Sequence, residues 1–110
     1  MLFRSVGDPV AVTDENRDEL AAALQNFELA LSCGDTVVDR GNGANVLDSP
    51  AQALGQLARL IAEQPRAPRL AEGEIITTGT ITDAWPVKPG ETWSSDYGAL
   101  GLNGLMLRFD

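Results

Sequence analysis

A chain of 110 residues with 44% hydrophobic content is one domain or a piece of one. Sixteen acidic against eight basic residues leave a net charge of -8, which repels phosphate backbones and anionic lipid and argues against nucleic acid and membrane as partners. A lone cysteine, Cys33, excludes an internal disulfide and fits a reducing, cytoplasmic setting, while the lack of histidine excludes Ser-His and Cys-His catalysis and His-rich zinc sites.

With only three Phe, two Trp and one Tyr, aliphatic and Ala side chains must fill most of the core. No apolar run approaches the ~20 residues that span a bilayer, and the first residues lack the apolar centre of a secretory signal. Met1-Leu2-Phe3-Arg4-Ser5 is what one frame of a common sequencing adapter would translate to. The expectation is therefore a C-terminal fragment whose gene runs further upstream, with residues 1–26 as a lead-in that carries a short helix and 27–110 as the C-terminal part of a larger domain.

In chain order, Thr13 to Gln25 reads as a helix, capped by Thr13 or Asp14, with acids in its first turn and an apolar stripe of Leu20, Ala23 and Leu24. The Asp14/Asp18 and Glu15/Glu19 pairs share helix faces, as metal ligands would, but with no further ligand nearby they read as a solvated acidic face. Phe27, Leu29 and Leu31 then alternate with Glu28 and Ala30. A turn at Gly34-Asp35 and the run Thr36 to Arg40 complete a hairpin.

After the loop Gly41 to Pro50 comes the clearest helix start. Ser49 can cap, Pro50 suits the first helical position, and Gln52 completes the spacing of a capping box. Leu54, Leu57, Ala58 and Ile61 follow helical spacing, giving a helix long enough to cover one face of a sheet and ending before Pro65. The remainder reads as strand over Glu74 to Thr78, a Pro-Gly turn at Pro89-Gly90, strand over Thr92 to Tyr97, and a last strand with Leu105, Leu107 and Phe109 on one face. The class is α+β.

Gly41-x-Gly43 invites a dinucleotide reading, but Val46 stands where a third glycine is needed and the helix begins too late. Tight turns with positive φ are the expected role of these glycines. Thr78-Gly79-Thr80 offers two hydroxyls and a close-approach glycine to a carboxylate or carbonyl oxygen, although spacing alone equally suits a strand-to-loop turn. Lys88 and Asp96 read as solvated loop residues.

The order of these pieces carries a resemblance. "RGNGANVLDSPAQALGQLARLIAEQ" followed by "LAEGEIITTGTITDAWPVKPGETWSSDYGALG" and a final strand resembles the C-terminal part of 2-keto-4-pentenoate hydratases, of the fumarylacetoacetate hydrolase superfamily, from about Phe27 to Phe109. The resemblance implies a mixed β-roll or barrel-like sheet with one main amphipathic helix. It implies short 2-oxo or 2-hydroxy-dienoic acids as substrates and a divalent Mg²⁺ or Mn²⁺ that stabilises an enolate. It also implies a homo-oligomer of the full-length enzyme.

In the family the metal is held by a Glu-x-Glu pattern and a further acid, upstream of anything in this chain. Glu72-Gly73-Glu74 has the spacing but matches a different family position, and Asp48 stands where relatives tend to have glycine. By the same resemblance Thr78, Gly79 and Thr80 border the substrate pocket and orient the acid, with no proton transfer assigned to them. The implied activity is that of a hydro-lyase acting on 2-hydroxypenta-2,4-dienoate. The alternatives are a 4-oxalocrotonate-type decarboxylase of the same fold, or a non-catalytic small-acid binding domain without the metal site.

Overall fold

The computed structural model describes residues 6–110, so the adapter-like first five residues lie outside it. Two helices and four strands follow in the order α1 (Arg17–Asn26), β1 (Glu28–Cys33), β2 (Thr36–Asn42), α2 (Pro50–Ala62), β3 (Thr92–Asp96) and β4 (Met106–Arg108). The strands make one antiparallel sheet in the order β2-β1-β3-β4. The α+β class holds. The mixed, barrel-like sheet does not describe this chain, whose sheet is open and antiparallel throughout with β2 and β4 as its edges.

The helix expected from Thr13 begins at Arg17, and its N-cap is Asn16 rather than Thr13 or Asp14, because residues 13–16 close a turn of their own before the helix starts. Thr13 Oγ1 accepts from the Asn16 N–H at 3.3 Å, and Asn16 Oδ1 accepts from the Thr13 N–H at 2.7 Å. These reciprocal bonds close the turn that leads into the helix, and the Arg17 N–H donates to the Thr13 carbonyl at 3.0 Å. Leu20, Ala23 and Leu24 are half-buried as a stripe, and Arg17 forms exposed ion pairs with Asp14 and Asp18 on the acidic face.

The hairpin is present, with Gly34 at φ 59° in its turn and a bulge between Leu31 and Ser32. Phe27 and Leu29 are buried, joined in the core by Val46 and by Trp93, which pairs with Cys33 across β1 and β3. The Phe27 and Tyr97 rings stand 6.1 Å apart, tilted by 37°.

Helix α2 starts on Pro50, and the buried Ser49 caps it. Its Oγ accepts from the Ala51 N–H at 3.2 Å, one residue short of the capping-box partner at Gln52. Ser49→Ala should therefore lower unfolding free energy by about 1 kcal/mol, read as a shifted denaturation midpoint; an unmoved midpoint would show that the cap contributes nothing. The expected cover of a sheet face is not seen, for α2 leans mainly on α1 and leaves Leu54 and Leu60 exposed.

Two further expectations are corrected. Residues 74–78 belong to no ladder: β-branched side chains favour an extended backbone, but a strand is made only by a neighbour's N–H and C=O groups, and no described strand lies alongside. Gly41 and Gly43 have no positive φ. Both are close approaches: a Cβ on Gly41 would sit 2.2 Å from the Ile81 carbonyl oxygen, and one on Gly43 would sit 1.7 Å from that of Leu24. Positive φ falls instead on Leu47 (45°) and Asp48 (67°), just before the Ser49 cap. Asp48 thus holds a left-handed backbone of the kind that glycine adopts most readily.

Among the described residues four hydrophobic side chains are buried, and Val6, Val10, Val12, Leu60, Ile75 and Met106 are each more than half exposed. The accessible surface is 8625 Å². A folded protein of this mass ordinarily exposes about 5,900 Å². The chain thus carries far more uncovered surface than a self-sufficient domain of its size.

Candidate active-site cleft

Val46 is the starting point of the site. It lies in the loop before α2, is buried, and stands under the backbone of Gly79, where an added Cβ would meet its Cγ1 at 3.4 Å. Gly79 has φ 139°, a conformation that side chains other than hydrogen rarely permit. The glycine of Thr78-Gly79-Thr80 is therefore required by the backbone itself.

Beyond that turn the chain passes over the outer edge of β2. There a polar cleft of about 350 Å³ is lined by Asp39, Arg40, Asn45, Thr80, Ile81, Thr82 and Asp83. Thr80 lines this cleft and is exposed; Thr78 is half-buried and Gly79 exposed, but neither contributes to the lining. A larger hollow of about 430 Å³ between residues 7–12, α1 and residues 97–105 is walled mostly by Val10, Val12, Leu20, Leu24, Leu102 and Leu105, and offers little to orient an acid.

The charges of the cleft are not equivalent. Asp39 Oδ2 accepts from the Trp85 indole N–H at 2.9 Å and from the Asp83 N–H at 3.1 Å, and its Oδ1 accepts from the Arg40 N–H at 2.7 Å. The Trp85 bond first, then the backbone donors, hold its carboxyl below the usual Asp range. These bonds are at full strength near neutral pH and are lost only as the pH falls through that lowered value. Arg40 is exposed and lines the same cleft as Thr80 and Thr82; the Thr82 hydroxyl donates to the Asp83 carbonyl at 3.2 Å. A cation with two hydroxyls can hold a carboxylate or a carbonyl oxygen.

The fumarylacetoacetate (FAA) hydrolase C-terminal family model matches residues 3–103. The chain belongs to the fumarylacetoacetate hydrolase family. It is 38% identical over 86 residues to a 4-oxalocrotonate decarboxylase of Pseudomonas sp. (strain CF600), covering 78% of this chain and 31% of that protein. It is 33% identical over 100 residues to 2-keto-4-pentenoate hydratase 1 of Dechloromonas aromatica (strain RCB), covering 91% and 35%. Among solved structures, the 4-oxalocrotonate decarboxylase from Pseudomonas putida G7 complexed with magnesium and adipate superposes with a TM-score of 0.65 at 35% identity, over 80% of this chain and 32% of that one. The same enzyme is also known complexed with calcium and acetate. The chain spans about a third of the length of these relatives.

Within this family member the other singled-out residues have local roles. Glu72 and Glu74 flank an exposed turn at Gly73, φ 87°, and Glu74 Oε2 accepts from the Ala71 N–H at 2.9 Å. Among the described residues no group of three or more His, Cys, Asp or Glu side chains can hold a metal ion, so the residues present do not fit one. Asp96 Oδ1 accepts from the Gly98 N–H at 2.8 Å, and the Lys88 N–H donates to Glu91 Oε1 at 2.6 Å.

Cys33 Sγ donates to Glu91 Oε2 at 3.1 Å, which raises the thiol pKa and lowers that of the carboxyl. The buried Trp93 indole N–H is near enough to add slightly to the lowering at Glu91, yet it forms no hydrogen bond among the described residues. The sequence reading missed Asp39, Asn45 and Trp85. The one signal for them was an exposed-type tryptophan in a polar loop, which names no partner. No helix among the described residues is long and apolar enough to cross a membrane.

Proposed function

We propose that the chain is the C-terminal segment of a metal-dependent hydro-lyase that hydrates 2-hydroxypenta-2,4-dienoate or a similar short 2-oxo acid in the cytoplasm, as part of a homo-oligomeric full-length enzyme. The observation that carries this reading is the Thr80 hydroxyl at the mouth of a polar cleft, on a turn whose glycine the backbone requires, in a member of this family. Thr80, with Arg40 lining the same cleft, binds the acid's carboxylate or oxo group and holds its orientation; Gly79 brings the backbone close and Thr78 supports the turn from a half-buried position. The chain's own contribution is binding and orientation. Proton transfer and metal chemistry belong to residues elsewhere in the whole enzyme.

A second reading, decarboxylation of a 4-oxalocrotonate-like acid, is favoured by the 38% identity to a decarboxylase and by the superposition on a solved one. The deciding experiment expresses the coding sequence with its in-frame upstream extension and assays both reactions with added Mg²⁺. Diene hydration supports the first reading and release of carbon dioxide the second. An extension without a Glu-x-Glu pair, and neither activity, would leave a small-acid binding domain. For the 110-residue chain itself, calorimetric titration with Mg²⁺ or Mn²⁺ should show only the weak heat of an acidic surface; a tight, stoichiometric site would refute the assignment of the ligands to another part of the enzyme.

A further inference from the structure

Residues 75–87 make no backbone–backbone hydrogen bond among the described residues, so this segment is not held by any ladder or turn. Three bonds from β2 and the loop behind it fasten it instead. Asn45 Nδ2 donates to the Ile81 carbonyl at 3.0 Å, and Asp39 Oδ2 accepts from both the Asp83 N–H and the Trp85 indole. Asp39 therefore receives two of the three, and its own carboxylate is oriented by the Arg40 N–H. Between these ties the Ile81 carbonyl lies against Gly41, where a side chain would collide with it. Thr80 is the residue immediately before this fastened stretch.

We propose that Asp39 is the positioning residue of the cleft: by holding Asp83 and Trp85 on the edge of β2, its carboxylate sets where the Thr80 hydroxyl stands. The functional consequence rests on the reading of Thr80 as a substrate contact, whereas the tie itself does not. A hydroxyl that recognises an acid must be held to within about half an ångström, and a loop without backbone pairing cannot do that unaided. Two acceptor bonds to one ionised carboxylate can, because charge-assisted bonds are roughly twice as strong as neutral ones. Asp39 neither contacts the reacting atoms nor exchanges a proton in this role.

The test uses the 110-residue chain, amide and indole hydrogen exchange followed by NMR, and adipate as the acid probe. In Asp39→Ala the Asp83 amide and the Trp85 indole should exchange about tenfold faster or more, while the paired amides of β1 and β2 keep their protection. Asp39→Asn retains an acceptor oxygen in the same place and should recover part of the protection, a rescue that a mere loss of packing would not give. Trp85→Phe should loosen Asp83 and Thr80 with Asp39 intact. Unchanged exchange in Asp39→Ala would overturn the proposal, and so would loss of the β1–β2 protection in the same variant, since Asp39 would then be needed for the hairpin as a whole. If exchange behaves as stated but the Thr80 amide of the parent chain never responds to adipate, the positioning role stands and the substrate assignment of Thr80 fails.

Discussion

Gly43→Ala is expected to remove the cooperative unfolding transition of this chain. Its new methyl would lie 1.7 Å from the Leu24 carbonyl oxygen, 2.8 Å from the carbon bearing it and 2.9 Å from Phe27 Cε1. Two of these are main-chain atoms, so no rotamer change relieves the clash. The end of α1 must move away from the turn after β2, breaking the 3.1 Å bond from the Gly43 N–H to the Phe27 carbonyl. Overpacking of this kind costs roughly 1–3 kcal/mol even in cores that can adjust. Here the displaced group includes Phe27, one of four buried hydrophobic residues, in a chain with little core to lose.

Gly55→Ala is the matched control. Gly55 lies inside α2 with open space around its Cβ position, and the same substitution should stabilise by about 0.5–1 kcal/mol. Thermal unfolding followed by circular dichroism separates the two. A Gly43→Ala melt as sharp and as late as the parent's would mean that α1 does not pack as described.

The second large effect concerns the cleft in the enzyme restored to full length. Thr80→Val keeps the shape and removes the hydroxyl that faces the proposed substrate. A hydrogen bond to a charged group is worth about 1.5–3 kcal/mol, so kcat/KM should fall about ten- to a hundredfold with metal affinity nearly unchanged. Thr78→Val should cost less, since Thr78 is half-buried and does not line the cleft. Gly79→Ala should do at least as much harm as Thr80→Val. Its methyl meets Val46 only at ordinary contact distance, but φ 139° is a backbone state that alanine resists. Normal kinetics in all three variants, towards dienoate and oxo acids alike, would reduce the Thr-Gly-Thr stretch to a structural turn.

What the sequence made legible was local. Alternation at Phe27, Leu29 and Leu31 led to the hairpin, and Ser49-Pro50 to the start of α2, because capping and pairing across a two-residue turn depend on neighbours in the chain. The fumarylacetoacetate hydrolase relationship was legible for the same reason, in the order of short motifs. What stayed hidden was non-local. Nothing near Asp39 announces that Trp85, 46 residues later, will donate to it. Nothing near Gly43 shows that the Leu24 carbonyl will occupy its side-chain position. The Ile-Ile-Thr-Thr run has the composition of a strand, and its failure to become one depends on partners that its own residues cannot specify.

The bond between Cys33 and Glu91 turns the thiol into a clock. Alkylating reagents attack the thiolate, and the neighbouring carboxylate holds Cys33 protonated at the end of β1, beside β3. Modification at neutral pH should therefore be slower than that of a free thiol, and Glu91→Gln should speed it. Glu91 is anchored in turn by the Lys88 N–H and lies immediately before β3, and its own carbonyl accepts from the Phe109 N–H at 2.8 Å just past β4. The rate at which a small haloacetamide labels the parent chain, set against that of Glu91→Gln, then reports whether this bond at the corner of the sheet is made in solution.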